Sequence, residues 1–533
     1  MHRLNTRLIL AAALLLGLCH MGVALLRSDV VIEQMGDDAL FFVRYAHNFV
    51  AGGRFSWNLG EAPAFGSTSQ LYLLLTTALV AVLPGREAIS VAILPPVMGL
   101  VSVALLLRMT FALNRSAHAR PANADAAWLG SLTLAFAALL LGFNPKFYQH
   151  WFSGMETTTS VAAVTILVVV SRSLSDRSWY RTGFLPGAIV ILFWVRPDLI
   201  LIAAPMQLLM LFANGRASGQ TAWAGALLAV LGLGLSMLAW WLYYGTPVPL
   251  PALIKTVLSP YSQSAISQYR YGNVAEFLLL VREDSIAVLL AAYFFMRRPF
   301  AGTRSDIALA AGMGLFVAFE MFGNALPISS GSARFLIPAL PILLWYAIRG
   351  FSCAIADLER ISAGAARAFA LAAIGTTALL FLPLGSQLGG IIQTLRTQPH
   401  RSYVQALEVM AAKSGKWQIF PLLSQRGLAK CTIADSEVGA IGVISPDRTV
   451  FDMSGLNNPT LALRRQDAAS YLAANSPDII WYKRVDFYWG TGLQQDPRLT
   501  AIYSFYDNSG IALLRSSPCT ALLEADNAGG SYL

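Results

Sequence analysis

Charge is what this chain has least of. Only 13% of its 533 residues are charged, against about 25% in soluble domains. With 56% of the residues hydrophobic, a single water-soluble globule is excluded, because the apolar bulk exceeds what the polar residues could cover. The chain reads as a polytopic membrane protein. Nucleotide-binding signatures are missing: no P-loop and no dinucleotide fingerprint occurs, which argues against a nucleotide-carried substrate. No internal repeat or low-complexity tract is visible, and His47 and His150 lack metal-ligand spacing. The net charge of +9 comes from arginines spread over short loops. With no basic-aromatic patch beside them, they read as a topological signal and exclude nucleic acid as a partner. Cysteine is sparse, and Cys19 and Cys353 fall in apolar segments. Cys431 and Cys519 lie in the polar C-terminal part and can form a disulfide if that part is outside the cytoplasm, the alternative being two buried thiols. Leu16-Gly17-Leu18-Cys19 is not a lipoprotein cleavage box, since Leu18 is too large before the cysteine and more spans follow. Residues 8–26 are an uncleaved first span.

What the chain has instead is a series of apolar runs. Candidate spans are 8–26, 88–107, 126–143, 157–170, 182–195, 199–212, 223–243, 285–295, 306–322, 335–348 and 366–384. A further apolar run at 71–83 decides the topology. If it does not cross, one side of the membrane collects Arg3, Arg7, Arg108, Arg115, Arg120, Arg172, Arg177, Arg181, Arg216, Arg297, Arg298, Arg304, Arg349, Arg360 and Arg367. The opposite loops are then near neutral or acidic, which is a positive-inside pattern. The run 71–83 is therefore expected to be an interfacial or re-entrant helix. The expected fold is an α-helical polytopic membrane protein with about eleven transmembrane helices plus interfacial helices, N-terminus cytoplasmic. Residues 1–385 form the membrane domain, with 27–87 as its first outer loop, and 386–533 read as a small α/β domain on the outside. In that domain 402–412 and 467–475 read as helices, and 478–482 and 511–514 as strands.

The outer side then holds charges close to hydrophobic runs: Asp37, Asp38, Arg44, Glu156, Arg196, Asp198, the segment from Tyr244 to Asp284, Glu320, Asn324 and Arg334. Ionisable groups in such places are costly and line cavities. The stretch 36–72 stands out. It opens with Asp37-Asp38, and from Asp38 to Val50 its pattern is amphipathic, which suits a helix lying flat on the membrane with its polar face to water. A carboxylate pair held there suits general-base chemistry on a molecule whose other half is a lipid.

The order of short motifs adds a family resemblance. They are Asp37-Asp38, Arg44-Tyr45, Asn48, Gly52-Gly53, Asn58-Leu59-Gly60-Glu61 and Gly66-Ser67-Thr68-Ser69. Then come Ser153-Gly154-Met155-Glu156-Thr157, Arg196-Pro197-Asp198, Tyr243-Tyr244-Gly245, Lys255, Arg334-Phe335-Leu336-Ile337-Pro338, Gly439-Ala440-Ile441-Gly442 and Asp452-Met453-Ser454-Gly455-Leu456. Over most of its length the chain resembles the GT-C glycosyltransferases of the mycobacterial terminal β-arabinofuranosyltransferase family. It departs from the family pattern at Ser67, Tyr72 and Pro249-Leu250-Pro251, which leaves the sugar and the acceptor open and the reaction class unchanged.

The resemblance implies a polyprenyl-phosphate sugar donor, inversion at the anomeric carbon, and transfer on the outer face of a bacterial cytoplasmic membrane. The acceptor would be a cell-envelope glycan or glycoprotein, and arabinofuranose is the favoured sugar. It assigns the base to Asp37 or Asp38, with Asp37 preferred. The bland alternative is a helix N-cap pair. Arg44 is either a phosphate clamp or a partner of an aspartate. Tyr45, Glu156, Arg196 and Asp198 are expected to line the substrate site, and Lys255 and Arg334 to stabilise the leaving phosphate. Each has a structural alternative: helix-end carboxylate, tight-turn salt bridge or interfacial snorkelling. Asp435, Glu437 and Asp452 are expected to face the cavity from the C-terminal domain, which could bind the growing glycan. No cofactor is assigned. If a divalent cation (Mg, Mn or Ca) takes part, Asp37 or Asp38 is its ligand. The rival readings are a transporter or flippase of lipid-linked sugar, an oligosaccharide ligase with a pyrophosphate donor, and a non-catalytic envelope-binding protein. A transporter would need two similar halves with paired broken helices, which the sequence does not show.

Overall fold

The computed structural model describes residues 11, 15, 18–19, 21–23, 25–117, 124–142, 144–174, 179–212, 216–255, 274–275, 277–297, 304–323, 334–413, 430–464 and 466–526. Most of the expected first span, Asn324, and 256–273 of the expected outer loop lie outside the described residues. The helices are α1 (Ala39–Gly52), α2 (Gln70–Val80), α3 (Ile89–Ala117), α4 (Ala124–Gly142), α5 (Thr157–Leu174), α6 (Leu185–Val195), α7 (Ile200–Phe212) and α8 (Arg216–Tyr244). They continue with α9 (Ser285–Arg297), α10 (Arg304–Phe322), α11 (Leu340–Glu359), α12 (Ala363–Leu380), α13 (Leu382–Thr397) and α14 (Tyr403–Lys413). Every expected span after the first is thus helical. Among the described residues, five helical segments are each long and apolar enough to cross a membrane, and several shorter apolar helices accompany them. The protein is a mostly helical, multi-pass membrane protein.

The shared core does not explain which helix ends lie together; the buried ions do. At one end of α10, Asp306 is wholly buried and receives Arg172 from α5 at 3.0 Å and Arg349 from α11 at 2.7 Å. At its other end Glu320 meets Arg196, which follows α6, at 3.3 Å. A buried charge persists only with such partners, so these pairs fix two opposite ends of the bundle. The run 71–83 stays on the Arg196 side at both of its ends. Tyr72 near the start of α2 donates to Gly154 O at 2.8 Å. Beyond its end, Glu87 pairs with His47 of α1 at 3.6 Å, and the Ala88 amide reaches the Tyr403 hydroxyl. α2 is also only 11 residues long, about 16 Å against a hydrocarbon core of about 30 Å.

The expected membrane-lying helix forms as α1, but not with its polar face to water. Arg44, Tyr45 and Asn48 are almost wholly buried, because residues 56–58 and the C-terminal region together cover that face. The C-terminal region carries a five-stranded sheet of order β2-β1-β3-β5-β4. Its elements are β1 (Ile433–Asp435), α15 (Gly439–Ile444), β2 (Val450–Asp452), β3 (Ile479–Ile480), β4 (Tyr503–Tyr506) and β5 (Ile511–Leu514). β1 pairs in parallel with β2 and β3, and β5 runs antiparallel to β3 and β4. The expected strand 478–482 is shorter, because a helix begins at Tyr482. β1, β2 and β4 had no alternating pattern long enough to be foreseen. Cys431 and Cys519 form the disulfide. The region is also tied to residues 27–87 by Arg401 on Glu33 and by the Arg401 amide on Asp29 Oδ2 at 3.3 Å.

Candidate active site

The site begins with a broken helix. Pro197 cannot extend the hydrogen-bond ladder of α6, and it pushes Arg196 into an extended conformation (φ −162°, ψ 129°). The chain restarts through a 3₁₀ turn, Pro197–Leu199, into α7. The break turns Arg196 and Asp198 into a cavity of about 300 Å³. Ile200, Leu201, Phe319 and Pro251 form apolar walls there, while Arg196, Lys255, Asp198 and Glu320 supply charge. Arg196 holds both oxygens of Asp198, and the same Nη2 reaches Glu320. Phe335 presents its ring to Arg196 at 5.3 Å and to Arg334 at 4.8 Å.

Lys255 ends the short helix Leu250–Ile254, entered through Pro249 and anchored by the Leu250 amide on Phe65 O at 2.8 Å. Its half-buried ammonium makes no hydrogen bond or ion pair among the described residues. Burial pushes it below the ordinary lysine range and Arg334 and Arg196 act in the same direction, while Asp38 and Glu156 oppose them. Arg334 donates to Asp38 Oδ2 at 2.8 Å, and a third of the Asp38 side chain stays exposed. The structure therefore brings together Asp38, Glu156, Arg196, Asp198, Lys255 and Arg334 from widely separated segments.

Other expected site residues are occupied elsewhere. Asp37, the preferred base, accepts the Gly439 and Ala440 amides at 2.8 and 2.9 Å. It caps α15 from across the chain, which is a fastening role. Arg44 is almost wholly buried and forms no ion pair with an aspartate among the described residues. It donates to Trp57 O, Gly442 O, Asn58 Oδ1 and Arg448 O at 2.6–2.8 Å. Burial lowers its guanidinium to about 10. Tyr45 donates to Asn457 Oδ1 at 3.0 Å. Asp452 is turned onto its own loop, accepting from Ser454 and Asn457, and burial pushes it up to about 6. Asp435 is wholly buried with Arg484 at 3.9 Å, and Glu437 is half-buried between β1 and α15. The Phe335 ring and Thr68 complete the cavity without having been assigned to it, and Glu320 joins it as one of the charges beside apolar runs that were expected to line a cavity. An acidic residue near the end of an apolar run was the only available signal for Glu320. Among the described residues no group of three or more His, Cys, Asp or Glu side chains is placed to hold a metal ion.

The Asp37 contact leaves no space for a side chain at Gly439. A Cβ there would overlap the Asp37 carbonyl oxygen and stand 3.0 Å from its carboxylate. Gly439→Ala is expected to cost about 1–3 kcal/mol through overpacking, seen as a lower melting temperature in detergent.

No protein-family model matches the chain, and no curated protein matches it. Among solved structures it is similar to ArnT from Cupriavidus metallidurans, crystallised bound to undecaprenyl phosphate. The TM-score is 0.43 and the identity 13%, over 91% of this chain and 87% of that one. A TM-score of 0.43 is too low to carry chemistry from one protein to the other.

Proposed function

We propose that the protein is a GT-C glycosyltransferase. It moves a sugar, arabinofuranose before others, from polyprenyl phosphate to a cell-envelope glycan or glycoprotein. The transfer takes place at the outer face of a bacterial cytoplasmic membrane. One observation supports this above the rest: a cavity with apolar walls and a cationic end lies beside an exposed, oriented carboxylate. A lipid-linked phosphate needs the first two features and hydroxyl activation needs the third. In the proposed step the acceptor hydroxyl oxygen attacks the anomeric carbon from the face opposite the phosphate, and its proton passes to Asp38. The bond from the anomeric carbon to the phosphate oxygen breaks, and polyprenyl phosphate leaves with the electron pair. Lys255 meets the growing charge, with Arg196 and Arg334 beside it. Asp37 and Arg44 hold the C-terminal region over the site.

The lysine gives a pH signature. Because Lys255 lies below the ordinary lysine range, its charge is lost at lower pH than that of an exposed lysine. Donor affinity should therefore fall on the alkaline side as pH rises towards that range. Lys255→Arg, which stays charged, should flatten that limb in a binding titration; an unchanged limb would remove Lys255 from the donor site. The reading as a whole is tested in proteoliposomes supplied with polyprenyl-phosphate sugars and an envelope glycan acceptor. Sugar incorporation with release of polyprenyl phosphate is expected, and lipid-linked sugar crossing the bilayer without transfer would favour a flippase instead.

A further inference from the structure

We propose that Glu156 binds the hydroxyl next to the reacting carbon of the transferred sugar, and so selects donors that carry it; this rests on the glycosyl-transfer reading above. The turn carrying Glu156 is fixed against the acidic loop. Gly154 adopts φ +70°, and a Cβ there would meet Ala39 and Met35 at 2.8 and 3.1 Å. The Gly36 amide donates to Ser153 O, and the Tyr72 hydroxyl to Gly154 O. Glu156 is thereby held near Asp38 at the start of α5, with only 5% of its surface exposed.

Its Oε2 is buried and has no hydrogen-bond partner among the described residues. A buried carboxylate oxygen left unbonded is costly, and an ionised carboxylate can only accept. Arg196 and Lys255 are cations in electrostatic range of Glu156. Arg196 is already engaged by Asp198 and Glu320. Lys255 forms no ion pair with Glu156 or with any other described residue. Lys255 lines the cavity, and Glu156, outside its lining, lies in electrostatic range of the lysine; one is short of an anion and the other short of a donor. Phosphate alone satisfies Lys255 but is repelled by Glu156. A glycosyl phosphate satisfies both, since its anionic ester and its first hydroxyl sit on adjacent carbons. Hydrogen bonds to that hydroxyl also strengthen in oxocarbenium-like transition states.

The test is a binding series on the full-length protein in detergent. The probes are farnesyl phosphate and the farnesyl-phosphate esters of arabinofuranose, mannose and glucose, each sugar paired with its 2-deoxy form. Wild type is expected to prefer at least one hydroxylated ester over its 2-deoxy partner by about 10- to 100-fold, the range of a charged hydrogen bond. Glu156→Gln, with its melting temperature checked, should shrink that ratio to within about threefold while leaving farnesyl phosphate binding equal or tighter. A uniform loss across all probes, or no preference for any hydroxylated ester in wild type, would overturn the assignment. Failure of farnesyl phosphate itself to bind, or binding indifferent to Lys255→Ala, would instead overturn the lipid-phosphate reading.

Discussion

Asp38→Asn is expected to reduce transfer by about a thousandfold or more, within the range for loss of a general base. The melting temperature should stay close to that of wild type. The amide keeps the shape and can still accept one hydrogen bond from Arg334, so the loop need not move. What it loses is the capacity to take the acceptor's proton. The decrease should fall on kcat, with donor KM little changed, because Asp38 does not line the cavity proposed for the donor. Asp37→Asn should behave in the opposite sense. Its carboxylate accepts two amides of α15, so its loss should lower stability first and activity only as the C-terminal region loosens. Steady-state rates and thermal unfolding of the two variants separate these roles. Equal loss of transfer in both, with both stable, would contradict the assignment of the base to Asp38.

Arg44→Ala is expected to have the largest effect on stability, roughly 3–5 kcal/mol. Four acceptors lose a donor together, Trp57 O, Gly442 O, Asn58 Oδ1 and Arg448 O, although Trp57 O keeps Asn48 and Asn58 Oδ1 keeps the Val450 amide. Two of the four belong to residues 27–87 and two to the C-terminal region, so one side chain joins the two parts. Its guanidinium also lies over the Trp57 ring at 4.9 Å. Lysine should not rescue the loss, because a point charge cannot serve acceptors spread around a planar fork. Limited proteolysis should release the C-terminal region earlier in Arg44→Ala than in wild type. An unchanged digestion pattern and melting curve would show that the junction is held by other contacts.

The membrane helices were legible because long apolar runs have few alternatives to spanning. The position of 71–83 was legible from arginine placement alone, and the His47–Glu87 and Ala88–Tyr403 contacts agree with it. The convergence of Asp38, Glu156, Arg196, Lys255 and Arg334 was foreseen because each is an ion beside apolar sequence. The contacts of Arg44 and Asp37 with the C-terminal region were not legible. Sequence shows a charge near a membrane but not the protein surface that will later cover it, and the C-terminal partners here lie about 400 residues away. The short strands β1 and β2 escaped because three residues carry too little periodicity.

The most direct test of the central claim is an experimental structure with a polyprenyl phosphate added. The phosphate is expected against the Lys255 ammonium, on the side of the cavity facing Arg196 and Arg334. The isoprene chain should run along Ile200, Leu201 and Phe319. A phosphate bound elsewhere, with Lys255 still facing open space, would contradict the account.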